Sequence, residues 1–371
     1  MSFASVRAGF ERNFRERGEL GASVSVWKNG VEVLSLAAGW CEKEHLRPWT
    51  KDTLVPVYSA TKVPAAATLL WALELRGLNV DTPVREVWRG FPIAEAKFRY
   101  VLSHQCGLAA LDRKADVFDH DQVVTALEAQ KPAWLPGEGH GYHPRTFGAL
   151  VDEPVRILTG RTLGNVWRDE FAAPAGLDFW IGLPECEWPR VARLYPGKAS
   201  RGGLEDAFYK EMSIPGSFVK RAFASPVGLH AVHEMNEPRA WSAGLPAMGG
   251  VGTASALAKF YQILLGRIPG PLSDDARIAL MTPQSDFYDR VLLRRTVFTC
   301  GAQVDPLSET GEKERRVYGP GKSAFGHPGA GGSHAFADPA TGISFSYVMN
   351  AMELSVMPTA RCLDLVAAAF E

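Results

Sequence analysis

Two stretches near opposite ends of the chain restrict its fold more than anything between them. "GASVSVWKNGVEVLSLAAGW", residues 21 to 40, alternates over Ala22, Val24 and Val26 and then turns at Asn29-Gly30. Alternation with a period of two buries one face of a strand, and Asn-Gly is the pair that tight hairpin turns favour. "SHAFADPATGISFSYVMN", residues 333 to 350, reads as two more strands joined by Pro339-Ala340-Thr341-Gly342, and "VMPTARCLDLVAAAF" reads as a closing helix. The middle, roughly residues 62 to 235, is helix-like with many Pro and Gly interruptions. Strands at both ends with helices between predict an α+β chain with one sheet built from both termini and a helical lobe beside it.

Ahead of the first hairpin, Phe3, Val6, Phe10 and Phe14 recur at helical spacing, with Arg7, Glu11, Arg12, Arg15 and Glu16 filling the other positions. That is an amphipathic helix rather than the continuous apolar region of a secretory signal. The chain has 371 residues, a net charge of −1 and a pI near 6.8, so nothing in its charge points to a nucleic acid partner. No apolar run approaches the ~18 residues that a membrane span needs. Cys41, Cys106, Cys186, Cys300 and Cys362 are odd in number, scattered, and never form a Cys-x-x-Cys pair. Reduced, mostly buried thiols in a cytoplasmic protein are the expectation.

Ser-x-x-Lys, the spacing of a nucleophilic serine and a lysine base, occurs three times. Ser25 and Lys28 lie on the first strand, where residues three apart point to opposite faces, so they cannot act together. Ser217 follows Pro215-Gly216 in a segment running only to Pro226, with Arg221 beside Lys220. A solvated basic turn is expected there, a short helix being the alternative. Ser59 differs: it sits where an extended segment, Leu54 to Tyr58, gives way to a long apolar helix containing Val63, Ala67, Leu70 and Leu73. One helical turn puts Ser59 and Lys62 on the same face. A helix start supplies unpaired N–H groups and a positive dipole end for a developing oxyanion. Lys62 must be buried to serve, because desolvation disfavours the ammonium, and a lysine near its reference pKa of about 10.4 is a poor base at neutral pH. Pro64 removes the helical partner of the Ala60 carbonyl, so some distortion of that turn is expected. The segment read alone also fits a serine N-cap followed by a surface lysine.

A proton donor for the leaving group and donors for the carbonyl oxygen are still required. Tyr142, after the Pro/Gly-rich "PAWLPGEGHGYHP", and the glycine cluster of "FGHPGAGGSHAFADP" offer them, since glycines beside a strand let backbone approach a ligand. Other patterns fail on inspection. His230-x-x-His233 lacks the order that sets a base beside zinc, Gly321-Lys322-Ser323 lacks the first glycine of a phosphate-binding loop, and Gly249 to Ser255 lacks the third glycine of a dinucleotide fingerprint. The last of these is expected instead to let backbone pass close beside the active site. His104 reads as a structural histidine at a turn. No metal and no cofactor is expected.

Taken together, these segments resemble the serine β-lactamase and penicillin-binding-protein superfamily, most closely its family VIII carboxylesterases. The resemblance spans nearly the whole chain through the first hairpin, "SATK", "VLSHQCGLAAL", "GYHPRTFGAL" and "GHPGAGGSHAFADPATGISFSYVMN". It implies the β-lactamase/transpeptidase-like fold: a central antiparallel sheet with flanking helices from residues 1–75 and 236–371, and an inserted, mainly helical domain from residues 76–235. It implies further that Ser59 is the acylated nucleophile, Lys62 its base and Tyr142 the proton shuttle. His327-Pro328-Gly329 would match the Lys-Thr-Gly triplet, with His327 and Gly329 contacting substrate, and the N–H groups of Ser59 and Ala330 would form the oxyanion hole.

Two departures shape the expected substrate. Pro144 replaces an asparagine that would help hold Lys62, and His327 replaces a lysine that would meet a substrate carboxylate. A histidine is mostly neutral at pH 7. The expectation is therefore a serine esterase acting on small neutral carboxylic esters, with no nucleic acid or membrane partner. β-Lactamase, D-amino peptidase or acyltransferase activity is the alternative within the superfamily. A catalytically inactive binding or assembly module is the alternative outside catalysis. Neither the acyl chain length nor the oligomeric state follows from the sequence.

Overall fold

The structure, a computed structural model, describes residues 3–197 and 205–371. The amphipathic first segment forms helix α1 (Ala4–Glu16), burying Val6 and Phe10. The alternating stretch after it forms strands β1 (Gly21–Lys28) and β2 (Val31–Gly39), joined at Asn29-Gly30. Three two-residue strands, β3 (Val55–Pro56), β4 (Phe179–Trp180) and β5 (Val251–Gly252), make a small separate sheet in the order β3-β5-β4.

The large sheet is completed by β6 (Ser285–Tyr288), β7 (Arg295–Phe298), β8 (Gln303–Val304), β9 (Phe325–Pro328), β10 (His334–Asp338) and β11 (Ile343–Met349). Its order is β2-β1-β11-β10-β9-β8-β7-β6, antiparallel throughout. The N-terminal hairpin thus joins the C-terminal strands through β1 and β11, with Val24 opposite Tyr347. Sequence pattern missed β6 to β8, whose two to four residues are too few to show a period.

Five further helices position the site: α2 (Lys62–Glu74), α3 (Phe147–Thr159), α4 (Phe218–Ala224), α5 (Ala254–Leu264) and α6 (Ala360–Ala368), the last packed on α1. Helix α2 is buried nearly all round, which is why its sequence, Ala- and Leu-rich with a very weak polar face, looks more like a core element than a surface helix. The segment at Ser217 departs from expectation. It is the short helix α4 rather than a basic turn, and its serine hydroxyl caps the helix by accepting the Lys220 N–H at 3.1 Å. The Ser-x-x-Lys spacing there is therefore a capping geometry.

Period-two alternation assigns the faces of the large sheet. On β11, Ser344 donates to the Ala258 carbonyl of α5, while Phe345 and Tyr347 point the other way. Phe336 stacks on Phe345 and on Phe370, and Tyr347 donates to Glu19, so the large rings face the α1 side. Small side chains (Ala335, Ala337, Ser344, Ser346) on one face let a helix approach closely. Aromatic ones fill the other. Among the described residues, no helix is long and apolar enough to cross a membrane, and no group of three or more His, Cys, Asp or Glu is placed to hold a metal ion.

Candidate active site

Ser59 lies in a single 3-10 turn, Ser59–Thr61, that leads into α2. The residue before it, Tyr58, has φ 49° and ψ −130°, a conformation costly for any side chain bearing a Cβ. What holds it is on either side. Val57 N–H donates to the Gly250 carbonyl at 2.9 Å, and Thr61 Oγ1 both donates to the Tyr58 carbonyl at 2.5 Å and accepts the Gly250 N–H at 2.9 Å. A Cβ on Gly250 would lie 2.5 Å from Thr61 Oγ1 and from the Phe179 ring, so only glycine permits this approach. The glycine run before α5 does pass beside the Ser59 turn. Pro64 is accommodated within the first turn of α2, where few intrahelical bonds are lost.

Lys62 is completely buried, with its Nζ 3.2 Å from Ser59 Oγ, 3.0 Å from the Pro144 carbonyl and 2.8 Å from the Ala247 carbonyl. Desolvation, reinforced by the Arg145 charge, holds its pKa well below the usual lysine value. Two N–H groups serve the two carbonyls, and in the neutral amine that the lowered pKa favours the remaining position is a lone pair facing the Ser59 hydroxyl. The side chain absent at position 144 is thus replaced by that residue's own backbone carbonyl.

Tyr142 Oη donates to Ser59 Oγ at 2.7 Å. Burial raises the phenol's pKa, so it carries its proton at neutral pH. The tyrosine is fixed from behind. Its N–H donates to Asp289 Oδ1 at 3.0 Å, an oxygen that also accepts the N–H groups of Val291 and Leu292 at 2.8 and 2.9 Å, while Asp289 Oδ2 accepts from Thr296 Oγ1 at 3.0 Å. The ring lies parallel to Phe298, 6.2 Å away, and against the edge of His104. His104 packs behind the tyrosine rather than toward the serine: its Nδ1 accepts the His143 N–H at 3.2 Å, and burial keeps both rings neutral.

His327 sits at the end of β9 with Nδ1 2.7 Å from the Pro328 carbonyl, which fixes the proton on that nitrogen, and with Nε2 3.4 Å from Gln303 Nε2. Burial pulls its pKa down to about 3, so no cation stands at this point of the site. Gly329 packs so closely on β3's flank that a Cβ there would lie 2.0 Å from the Val57 carbonyl oxygen. Its N–H donates to Ser333 O at 2.6 Å, shaping the tight turn that carries Ala330. Neither the Ser59 N–H nor the Ala330 N–H donates to any group among the described residues, and both residues line the two cavities that meet at Ser59.

The structure therefore brings Ser59, Lys62, Tyr142, His327, Gly329 and Ala330 to one place. Sequence reasoning did not find Ala247, Asp289 or Gln303. Ala247 acts through its backbone, and the other two have no local pattern to mark them. Two hollows meet at Ser59. A small one, about 30 Å³, includes Tyr142, Gln303, His327 and Met357; a larger cleft, about 370 Å³, is walled by Tyr58, Arg145, Met212, Phe223, Leu229 and Met248, among others.

A family model described as Beta-lactamase matches residues 10–368. The chain is 31% identical over 362 residues to the Esterase/beta-lactamase LipL of Mycobacterium tuberculosis, covering 94% of this chain and 81% of that one. Among solved structures it is similar to a penicillin-binding protein homolog from Caulobacter crescentus, with TM-score 0.85 and 33% identity over 100% of this chain and 97% of that chain. It is also similar to a family VIII carboxylesterase, with TM-score 0.86, 30% identity and the same coverage.

Proposed function

The chain belongs to the beta-lactamase family, and from that premise we propose that it is a serine hydrolase cleaving small carboxylic esters through an acyl-enzyme on Ser59. The observation that carries this reading is the hydrogen-bond chain from Tyr142 Oη to Ser59 Oγ to Lys62 Nζ, ending on two backbone carbonyls. Every proton in it has a direction. Ser59 Oγ attacks the ester carbonyl carbon while its proton passes to the neutral Lys62 amine. The carbonyl oxygen, now anionic, is met by the free N–H groups of Ser59 and Ala330.

Collapse of the tetrahedral intermediate breaks the carbon–alkoxy bond. Tyr142 protonates the departing oxygen and is itself reprotonated from Lys62, so the serine's proton leaves with the alcohol. A water molecule then repeats the sequence on the acyl-enzyme: its oxygen bonds to the acyl carbon, its proton travels back along the same groups to Ser59 Oγ, and the acid departs. No charge is created beyond the oxyanion and the transient ammonium. The carbonyls of Pro144 and Ala247 stabilise that ammonium.

Esters are favoured over β-lactams because His327 is neutral where lactam-cleaving relatives hold a cation. The relatives named esterase and carboxylesterase point the same way. The test is labelling with a fluorophosphonate, read by intact mass and peptide mapping, followed by turnover of ester and β-lactam panels. A single adduct on Ser59, absent from Ser59→Ala, with ester turnover well above lactam turnover, is the expected result. Comparable lactam turnover would reassign the substrate. Absence of any adduct on folded protein would remove the enzyme reading in favour of a binding module.

A further inference from the structure

The larger cleft is unusual in its charge. Among the described residues Arg145 and Lys220 line it together with neutral side chains, and no aspartate or glutamate does; the small hollow on the other side of Ser59 has no carboxylate either. Arg145 follows Tyr142 by three residues and is 8% exposed. It makes no ion pair among the described residues. Its two terminal nitrogens donate to the backbone carbonyls of Leu229 (3.3 Å) and Gly228, and its Nε–H is buried with no partner. Burial lowers its pKa to about 10, which leaves the guanidinium fully charged at neutral pH.

Glu234 acts on it only through space, and Asp152, in the cavity on the far side of Arg145, is already engaged by Arg156 and His120. Lys220 stands exposed at the same cleft and forms no ion pair among the described residues. A buried cation without its counter-ion is costly to keep, and a low-dielectric wall beside it strengthens its pull on any anion that enters. His230, also on the wall, is held neutral by desolvation and by the Arg145 charge, so it adds no competing anion or cation.

We propose that Arg145 and Lys220 form an anion subsite in the larger cleft, which selects esters whose acyl group carries a terminal carboxylate: half-esters of dicarboxylic acids. The proposal rests on the Ser59 hydrolase reading and refines its substrate class. The side of the scissile bond follows from the proton path. Tyr142, which protonates the leaving alcohol, lines the small hollow and not the larger cleft, so the alcohol leaves through the small hollow and the acyl group occupies the cleft. This places Arg145 and Lys220 along the larger cleft and His327 along the small hollow. The neutral imidazole makes the alcohol side indifferent to charge, and the guanidinium makes the acyl side selective for it. A carboxylate bonded to a guanidinium is a strong, geometrically defined pair.

The experiment compares kcat/KM for mono-p-nitrophenyl adipate with that for its neutral counterparts, p-nitrophenyl hexanoate and the methyl ester of the adipate, spontaneous hydrolysis subtracted. A matched pair with the charge on the alcohol, 3-carboxyphenyl hexanoate against phenyl hexanoate, tests the side. Wild type is expected to prefer the acyl-side anion by about tenfold or more, mainly through KM, with the preference shrinking as salt is added. Because the readout is a ratio of two substrates on one enzyme, a general loss of activity in a variant cancels. Arg145→Gln is expected to bring the ratio close to one, Arg145→Lys to retain only the part that charge without the guanidinium fork supplies, and Lys220→Gln, at an exposed position, to lower it about two- to fourfold.

Ser59-dependent turnover of the neutral esters with a wild-type ratio at or below one would overturn the subsite while leaving the hydrolase reading standing. A preference confined to the alcohol-side anion would overturn the assignment of the cleft to the acyl group. Absence of all Ser59-dependent turnover would overturn both.

Discussion

Lys62→Met separates a neutral lysine from a charged one without any substrate. Methionine keeps most of the length and volume of the side chain in a site with no solvent exposure, and removes the amine. In the unfolded chain a lysine binds a proton up to a pKa of about 10.4. In the folded protein, burial and the Arg145 charge push the Lys62 pKa well below that value, so across the interval between the two the unfolded state holds one proton more. Stability then rises with pH, by about 1.36 kcal/mol per pH unit for one proton. The penalty is complete below the folded pKa and disappears as pH approaches the unfolded value.

The methionine variant has no such dependence, and every other titrating group is shared by the two proteins. The difference in unfolding free energy, wild type minus variant, should therefore increase between pH 7 and pH 9, at the limit of a fully neutral Lys62 by about 2.7 kcal/mol. Loss of the amine's bonds to the Pro144 and Ala247 carbonyls shifts the variant by a constant and leaves the slope untouched. Urea unfolding of both proteins at pH 7, 8 and 9 measures it. Parallel curves would mean that Lys62 is an ammonium in the folded protein, and the proposed base would be lost with it.

Three further outcomes are expected. Tyr142→Phe keeps the ring parallel to Phe298 but loses the proton donor, so kcat should fall about 10²–10⁴-fold for alkyl esters and much less for p-nitrophenyl esters, whose leaving group needs no proton; equal losses for both would remove Tyr142 from the leaving-group step. Gly329→Ala drives a Cβ to 2.0 Å from the Val57 carbonyl, and a shift of about 1 Å in the Ala330 turn should cost about 10²-fold in kcat, read by single-turnover kinetics; retention of activity within threefold would take that turn out of the oxyanion hole. Asp289→Ala strands three buried N–H groups, at about 1–3 kcal/mol each, so a urea melt should show destabilisation of at least about 3 kcal/mol; a change below about 1 kcal/mol would mean that the carboxylate does not hold the Tyr142 backbone.

Local chemistry explains which parts were readable beforehand. Asn29-Gly30 and Pro339–Gly342 each carry a turn signal between alternating residues, and both hairpins form where that signal lies. Helix α1 shows its Phe and Val spacing, and the helix start at Ser59 shows in the change from extended to apolar-helical pattern. Tyr142 and the glycine turn at 329–332 stand out by their Pro- and Gly-rich settings, and their roles follow from the family resemblance, not from periodicity. The unreadable parts are contacts between distant backbones. The absence of a side-chain amide at Pro144 reads as a deficit, yet its carbonyl, with that of Ala247, accepts from Lys62. A residue name does not encode where a carbonyl points. At Ser217 the expected basic turn is instead the short-helix alternative, whose end the serine hydroxyl satisfies; a capping serine followed by lysine has the same spelling as a catalytic pair, so spacing alone does not separate them. Nothing near Arg145 in sequence marks a guanidinium that folding leaves without an ion-pair partner.

The pairing of β1 with β11 sets a timetable for biosynthesis. Residues 22 to 28 leave the ribosome early and can close on β2 at once, but their other edge has to wait for residues 343 to 349. During that wait a strand carrying Val24, Val26 and Trp27 presents open hydrogen-bonding groups, the kind of edge that chaperones shield and that nascent chains of other copies can capture. The entropic penalty of the eventual closure grows only slowly with the length of chain between the partners, about 0.6 kcal/mol per doubling, so the delay is a kinetic hazard more than a thermodynamic one. It also leaves the proposed nucleophile without its surroundings. Ser59 is translated long before Gly329 and Ala330, so a growing chain holds the serine before the glycine turn that packs beside it exists.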